Sequence, residues 1–241
     1  MPRPLRLLEI TAKIVAAQEV DAGIGGDLTR FIRGRMPAIG IDPDDAERAR
    51  ATEHFVRGYI MTVPRILEAA SDQARRSGMG ERMDEILGWA QAYWVDEGDV
   101  IPDHLGLHGL FDDAYCSLRL LEKLSDEAVA ARLRPIVDDD LATANWLAYR
   151  LIGEPDNEAL EHHVAAALGD EGLLGNLARL AEHGSEETRV LPADPHALSE
   201  GPPIDAPAWA TEAAAGVREL RREVEGVVDI PDRLPRDAGQ S

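Results

Sequence analysis

The sequence predicts an all-α protein, an irregular helical bundle or array that contains a helix–acidic turn–helix hairpin. Two observations carry this. Apolar residues recur at i, i+3 and i+4 over most of the chain, the period of a helix with one buried face. No alternating apolar–polar run of useful length appears, nor does an internal repeat or a sustained heptad, so sheets, solenoids and long coiled coils are not expected.

Leu7, Ile10, Ile14 and Val15 make the first amphipathic stripe, and Gly23-Ile-Gly-Gly26 breaks it. A short segment, Leu28–Met36, follows and stops at Pro37. Asp42-Pro-Asp-Asp45 is a helix start, because acids favour the positive end of the helix dipole. The next helix carries Phe55, Val56, Tyr59, Ile60, Ile66 and Leu67 and runs to about Ser77. Pro64, which lacks an amide donor, should kink or divide it. Gly78-Met-Gly80 closes it. Met83, Ile86, Leu87, Ala90, Tyr93 and Trp94 mark a further helix. After the acidic turn, Phe111, Ala114, Tyr115, Leu118 and Leu121 mark another. Val129, Leu133, Ile136, Val137, Leu141, Ala144, Leu147, Ala148 and Leu151 trace one long helix, bent at Pro135 and ended by Gly153 and Pro155. Leu160, Val164 and Leu168, then Leu173, Leu177 and Leu180, read as two short helices.

The organisation that follows is an all-helical domain over residues 1–183, with the hairpin at about 81–124. Residues 184–207 hold five prolines and no periodicity, and read as a linker or surface loop. Residues 208–228 form a last helix, and 229–241 a disordered tail.

Composition narrows the partners. The 241 residues carry 45 acids against 25 bases, a net charge of -20. A phosphate backbone or an anionic membrane needs a cationic surface, so no nucleic acid partner is expected. The Arg-rich stretches Arg30–Arg35 and Arg218–Arg222 are short, have acids nearby and read as solvated helix faces. No window approaches the roughly 18 apolar residues that a membrane span requires, so integral insertion is not expected. The polar residues Arg6, Glu9, Lys13, Gln18 and Glu19 exclude the apolar core of a signal peptide. Cys116 is the sole cysteine, which precludes an internal disulfide and a cysteine-based zinc site and fits a cytoplasmic location.

The segment richest in chemistry is Asp99-Val-Ile-Pro-Asp103-His-Leu-Gly-Leu-His108-Gly-Leu-Phe-Asp112-Asp113. As a structural element it is a fixed corner. Pro102 holds Ile101 out of helical geometry. Asp112 would be the N-cap of the next helix, with Asp113 adding charge near the dipole, a contribution of about 1 kcal/mol. Phe111 before the cap would staple onto Cys116. Asp99 and Asp103 would accept turn amides. As a ligand site it gathers Asp96, Glu97, Asp99, Asp103, Asp112 and Asp113 within eighteen residues, with His104 and His108 among them. Such oxygen donors suit Mg²⁺ or Mn²⁺ or Ca²⁺, and capping alone does not explain why mutually repelling carboxylates gather. The metal ligands would then be Asp99, Asp103, Asp112 and Asp113, with His108 or His104 added.

Seven of these positions, Asp99, Ile101, Pro102, Asp103, Gly109, Asp112 and Asp113, together with the preceding Tyr93, resemble the signature of the YkvA-like domains of unknown function. The likeness covers about a tenth of the chain at motif level and, with flanking helices, residues 81–124. It implies a helix–turn–helix hairpin and no known catalysis. The chain departs from the pattern at Gly106, where the family often has a second proline. It departs again at Asp96 and Glu97, where the family often has Ser-Pro. Its charged flanks keep the family's membrane association from being carried over.

Weaker signals remain. Asp138-Asp-Asp140 reads as a solvated face. Glu161-His-His163 holds a histidine, His163, on the apolar stripe of Leu160 and Val164, expected to be partly buried. Neither an EF-hand, a His-Glu-x-x-His, a Gly-x-Ser-x-Gly nor a phosphate-binding loop is present, and Cys116 has no activator. The expected function is therefore a soluble, non-enzymatic interaction or regulatory module with a protein partner or a second copy, the 208–228 helix serving as a docking element. The alternative is an Mg- or Mn-dependent enzyme, a hydrolase with unassigned catalytic residues, built on the carboxylates of Asp99–Asp113.

Overall fold

Each apolar stripe needs a neighbour to bury it, and in this chain the neighbours are other helices. The computed structural model describes residues 7–24, 27–76, 80–94, 101, 103–130, 141–169 and 219–230. Among them the order is α1 (Leu7–Ile24), α2 (Asp27–Arg35), a 3-10 turn (Met36–Ile39), α3 (Ala46–Arg76), α4 (Gly80–Ala92), a 3-10 segment (Asp103–His108), α5 (Phe111–Ala130), α6 (Ala142–Ile152) and α7 (Asp156–Leu168). A final helix, α8, spans 219–227. The described residues contain no strand, so the fold is all-α.

The start signal at residues 42–45 works as the sequence predicts. Asp45 Oδ1 accepts the amides of Glu47 at 3.1 Å and Arg48 at 3.0 Å, and Asp42 Oδ1 accepts that of Asp44 at 2.9 Å. Pro64 does not divide the helix it enters. α3 is one helix from Ala46 to Arg76, and buried Val63, Ile66 and Leu67 on either side of the proline hold it against the core. Packing outweighs the lost backbone bond.

α5 is the hub. It packs on α3, α4, α6, α7 and the Asp103–His108 segment. Every residue from Leu110 to Leu121 is buried, so the helix presents no solvent face over its first half. A helix enclosed on all sides must bury its polar side chains too. Trp94, fully buried, donates from its indole to Ser117 Oγ at 2.8 Å, and Ser117 donates onward to the Ala90 carbonyl at 2.6 Å. That relay fastens the α4 end to α5.

Four expectations are corrected. Val129 belongs to the last turn of α5, while Leu141 lies at the start of α6, so the stripe from Val129 to Leu151 spans two helices and not one. Val15 points outward at 49 % exposure, although Ile10 and Ile14 are buried. His163 is exposed despite flanking the buried Leu160 and Val164. The described part of the last helix does not offer its apolar face for docking: Leu220, Val224, Val227 and Val228 are buried in the common core. The calls on residues 131–140, 170–183, 184–207, 208–218 and 231–241 lie outside the described residues, as does Asp138-Asp-Asp140.

Candidate functional site

The acidic turn is the segment to which the sequence points. Asp112 and Asp113 sit in the first turn of α5, both buried. Asp112 is not the N-cap. The Ala114 amide bonds the Leu110 carbonyl at 3.1 Å, so the helix is already under way at Phe111. The Asp112 carboxylate turns back instead, and its Oδ2 accepts the Ile101 amide at 2.8 Å. Asp112 thus ties down a turn amide, while the same role expected of Asp99 and Asp103 falls on side chains outside the described residues. Phe111 is likewise a helix residue and not a staple ahead of the cap.

His108 lies flat on Phe31, with ring centroids 3.8 Å apart and planes 24° apart. From there an aromatic series crosses the core: Phe31 to Phe111 at 6.3 Å, Phe111 to Tyr59 at 5.7 Å, Tyr59 to Phe55 at 5.6 Å. Asp103 opens the 3-10 segment, but its side chain, that of His104, and Asp96, Glu97 and Asp99 lie outside the described residues. Among the described residues no three His, Cys, Asp or Glu side chains gather as a metal-holding group. The described pair Asp112 and Asp113 could supply two of the oxygens that a hard cation takes.

Gly106 divides the Asp103–His108 segment, with φ 72° and ψ -139°. Only glycine takes this conformation readily. A Cβ there would also stand 3.2 Å from the Ala17 carbonyl and 3.3 Å from the Asp21 amide. The turn therefore presses directly on the α1 backbone. Beside it, Asp21 Oδ2 accepts Arg57 Nη2 at 2.5 Å, and Arg57 also bonds Glu53 Oε1 at 2.9 Å. Thr29 donates to Glu53 Oε2 at 2.9 Å, so α1, α2 and α3 meet at one polar corner.

A second cluster escapes the sequence reading. Arg119, on the buried hub helix, donates from Nη1 to Glu122 Oε2 at 2.8 Å and from Nε to Glu161 Oε1 at 2.9 Å. Tyr115 donates its hydroxyl to the same Glu161 oxygen. Asn145 Nδ2 donates to Glu122 Oε2 at 2.6 Å, and Tyr59 donates to Asn145 Oδ1 at 2.5 Å. The path Tyr59–Asn145–Glu122–Arg119–Glu161–Tyr115 joins α3, α5, α6 and α7. Burial works against the Arg119 charge, yet the neighbouring Glu122 and Glu161 outweigh it and hold the guanidinium above its ordinary value. Burial, then Glu122, pushes the Tyr59 hydroxyl well up, and burial, then Glu161, does the same to Tyr115. Both phenols stay protonated donors. The one sequence signal for this cluster was the apolar residues on every face of α5, which force Arg119 inside.

Tyr59 links the two regions. Its ring belongs to the aromatic series that starts at His108, and its hydroxyl begins the polar path. Cys116, between them, is buried, and its thiol is pushed well up by burial and then by Asp112 and Asp113.

The outward side of α1 is the other feature with no counterpart in the core. Leu8 is 86 % exposed and shares a face with Ala12 and Val15. Met61 of α3, 44 % exposed, lies at the flank of α1, its sulfur 3.7 Å from Gln18 Nε2. No described helix is long and apolar enough to cross a membrane. No family model, curated protein or solved structure matches the chain, and the reading of its function rests on this geometry.

Proposed function

We propose that this protein is a non-enzymatic interaction module: a rigid helical body, cornered by a YkvA-like acidic turn, that meets a partner protein or a second copy through the outer face of α1. The observation that carries the reading is the apolar stripe of Leu8, Ala12 and Val15, exposed on a helix whose opposite face is fully used. Single exposed apolar residues are ordinary, whereas a stripe along one helix is the geometry of helix-to-helix recognition. The internal bond from Ile101 to Asp112 supports a structural task for the turn. The likeness to the YkvA-like pattern rests on seven motif positions. Gly106 sets a limit on it, since φ 72° is closed to the proline that the family often carries there.

The test is the paired substitution Leu8→Glu and Val15→Glu, followed by sedimentation velocity over a wide concentration range and by cross-linking to candidate partners. Association in the wild type that the paired variant loses, with its helical circular dichroism intact, supports the reading. Association that the variant keeps, or none at any concentration with any partner, sinks it.

A second reading, an Mg- or Mn-dependent hydrolase, draws on one observation: Asp112 and Asp113 are adjacent carboxylates, both buried, beside the turn that also carries Asp99, Asp103 and His108. A divalent cation would offset their repulsion. Elemental analysis and a thermal-shift series over Mg²⁺ and Mn²⁺, with Asp103→Asn and Asp112→Asn beside the wild type, separates the two. A cation-induced shift that both substitutions abolish favours the enzyme.

A further inference from the structure

The α8 helix buries Leu220, Val224 and Val227, and a glutamate, Glu223, sits on the same face. The Glu223 side chain is 10 % exposed. It lies over α3 where Gly58 leaves room, because a Cβ on that glycine would stand 2.6 Å from Glu223 Oε2 and 3.0 Å from Oε1. Glu223 Oε1 is 3.1 Å from His54 Nε2, and His54 is itself 73 % exposed. Glu223 Oε2 is buried and takes no hydrogen bond from the described residues. Among the described residues, the charged and titratable groups that face this carboxyl are His54 from α3 and Glu219 from its own helix. Nearby, Arg48 Nη1 holds the Val227 carbonyl at 3.0 Å, a bond that does not titrate in the neutral range.

We propose that α8 is a proton-tightened strap: Glu223, berthed on Gly58 beside the His54 imidazole, fastens residues 219–227 to α3 more firmly as the surroundings acidify. A carboxylate held there without a proton keeps one oxygen, Oε2, desolvated and unbonded. A proton removes that cost. When α8 lifts away, Glu223 returns to water and to ordinary carboxylate behaviour.

The direction follows from burial. Loss of water, with a smaller contribution from Glu219 and against the pull of His54, pushes the docked Glu223 up to about 7, from a free value of 4.5. A group raised in the docked state contributes its stabilisation fully below the free value and loses it as pH climbs through the docked one. The sensitive window is therefore pH 4.5 to about 7. Within it the docking constant changes by up to about tenfold per pH unit, the limit for one linked proton.

Hydrogen exchange of the full chain, read by mass spectrometry from pH 5 to 8 and corrected for intrinsic amide rates, tests this. A peptide covering 219–228 is compared with one from α5 as the control for global opening. The expected result is protection of 219–228 that falls by up to about tenfold per unit between pH 5 and 7, while α5 stays level. Glu223→Gln should flatten the dependence. Gly58→Ala should do the same by a different route, since the added methyl expels the carboxylate toward water and leaves it in the chain. Protection that is level with pH in the wild type, or a slope that survives in both variants, overturns the proposal.

Discussion

Replacing Arg119 with Met tests whether the buried polar path holds the helices together. The Arg119 side chain is 8 % exposed, and its partners Glu122 and Glu161 are 13 % and 19 % exposed. Met matches the length of the stem and removes the charge, leaving two carboxylates with little access to water and no cation. Breaking a buried pair by removing one partner costs about 3–5 kcal/mol. For a chain of this size each kcal/mol moves the midpoint by roughly 2–4 °C, so the variant should melt roughly 6–20 °C lower. Denaturant unfolding followed by circular dichroism, with the slope compared against the wild type, measures the loss. Glu161→Gln is the companion. Its amide oxygen can still accept from Arg119 and Tyr115, so its cost should stay near 1–2 kcal/mol, about that of weakening one charge-assisted bond. Salt should change neither result much, because buried pairs are poorly screened. A loss below about 1 kcal/mol for Arg119→Met, the value of an exposed ion pair, would refute the argument that this path is load on the core rather than a surface ornament.

Four further outcomes are expected. Gly106→Ala should cost about 1–3 kcal/mol through backbone strain alone, and more through the close approach to the Ala17 carbonyl, read as a lower melting temperature with native-like helicity. Asp45→Ala should cost about 1 kcal/mol by leaving the Glu47 and Arg48 amides without their side-chain acceptor, with faster exchange confined to the first turn of α3. Asp112→Ala should cost about 1–3 kcal/mol by stranding the Ile101 amide. Millimolar Mg²⁺ or Mn²⁺ should leave the wild-type melting temperature where it is; a rise that Asp112→Ala lacks would favour the hydrolase reading.

The helix class and most boundaries were legible because they depend on local rules. Asp45 caps α3 and Gly153 ends α6 through chemistry confined to a few neighbouring residues. What failed depends on partners distant in sequence. Val15 falls two helical turns after Leu7, but α1 is apolar around much of its circumference, and only the position of α3 and of the Asp103–His108 segment decides which side is inward. Arg119 and Glu122 look like an ordinary i, i+3 surface pair until Glu161 from α7 and Asn145 from α6 arrive from 42 and 23 residues away. Asp112 carries a capping residue's chemistry two positions past the cap, and the amide it satisfies lies eleven residues upstream. Pro64 illustrates the converse: a strong local signal overridden by the core on either side of it.

The burial of Cys116 makes the chain its own clock. As the only thiol, on the enclosed hub helix and held in its unreactive protonated form, it can meet an aromatic disulfide reagent only when α5 is uncovered. The labelling rate under native conditions should follow the opening of the hub itself, with no engineered probe. Applied to Arg119→Met and Gly106→Ala, the same reaction would tell a body that breathes more often from one that has merely become less stable on melting.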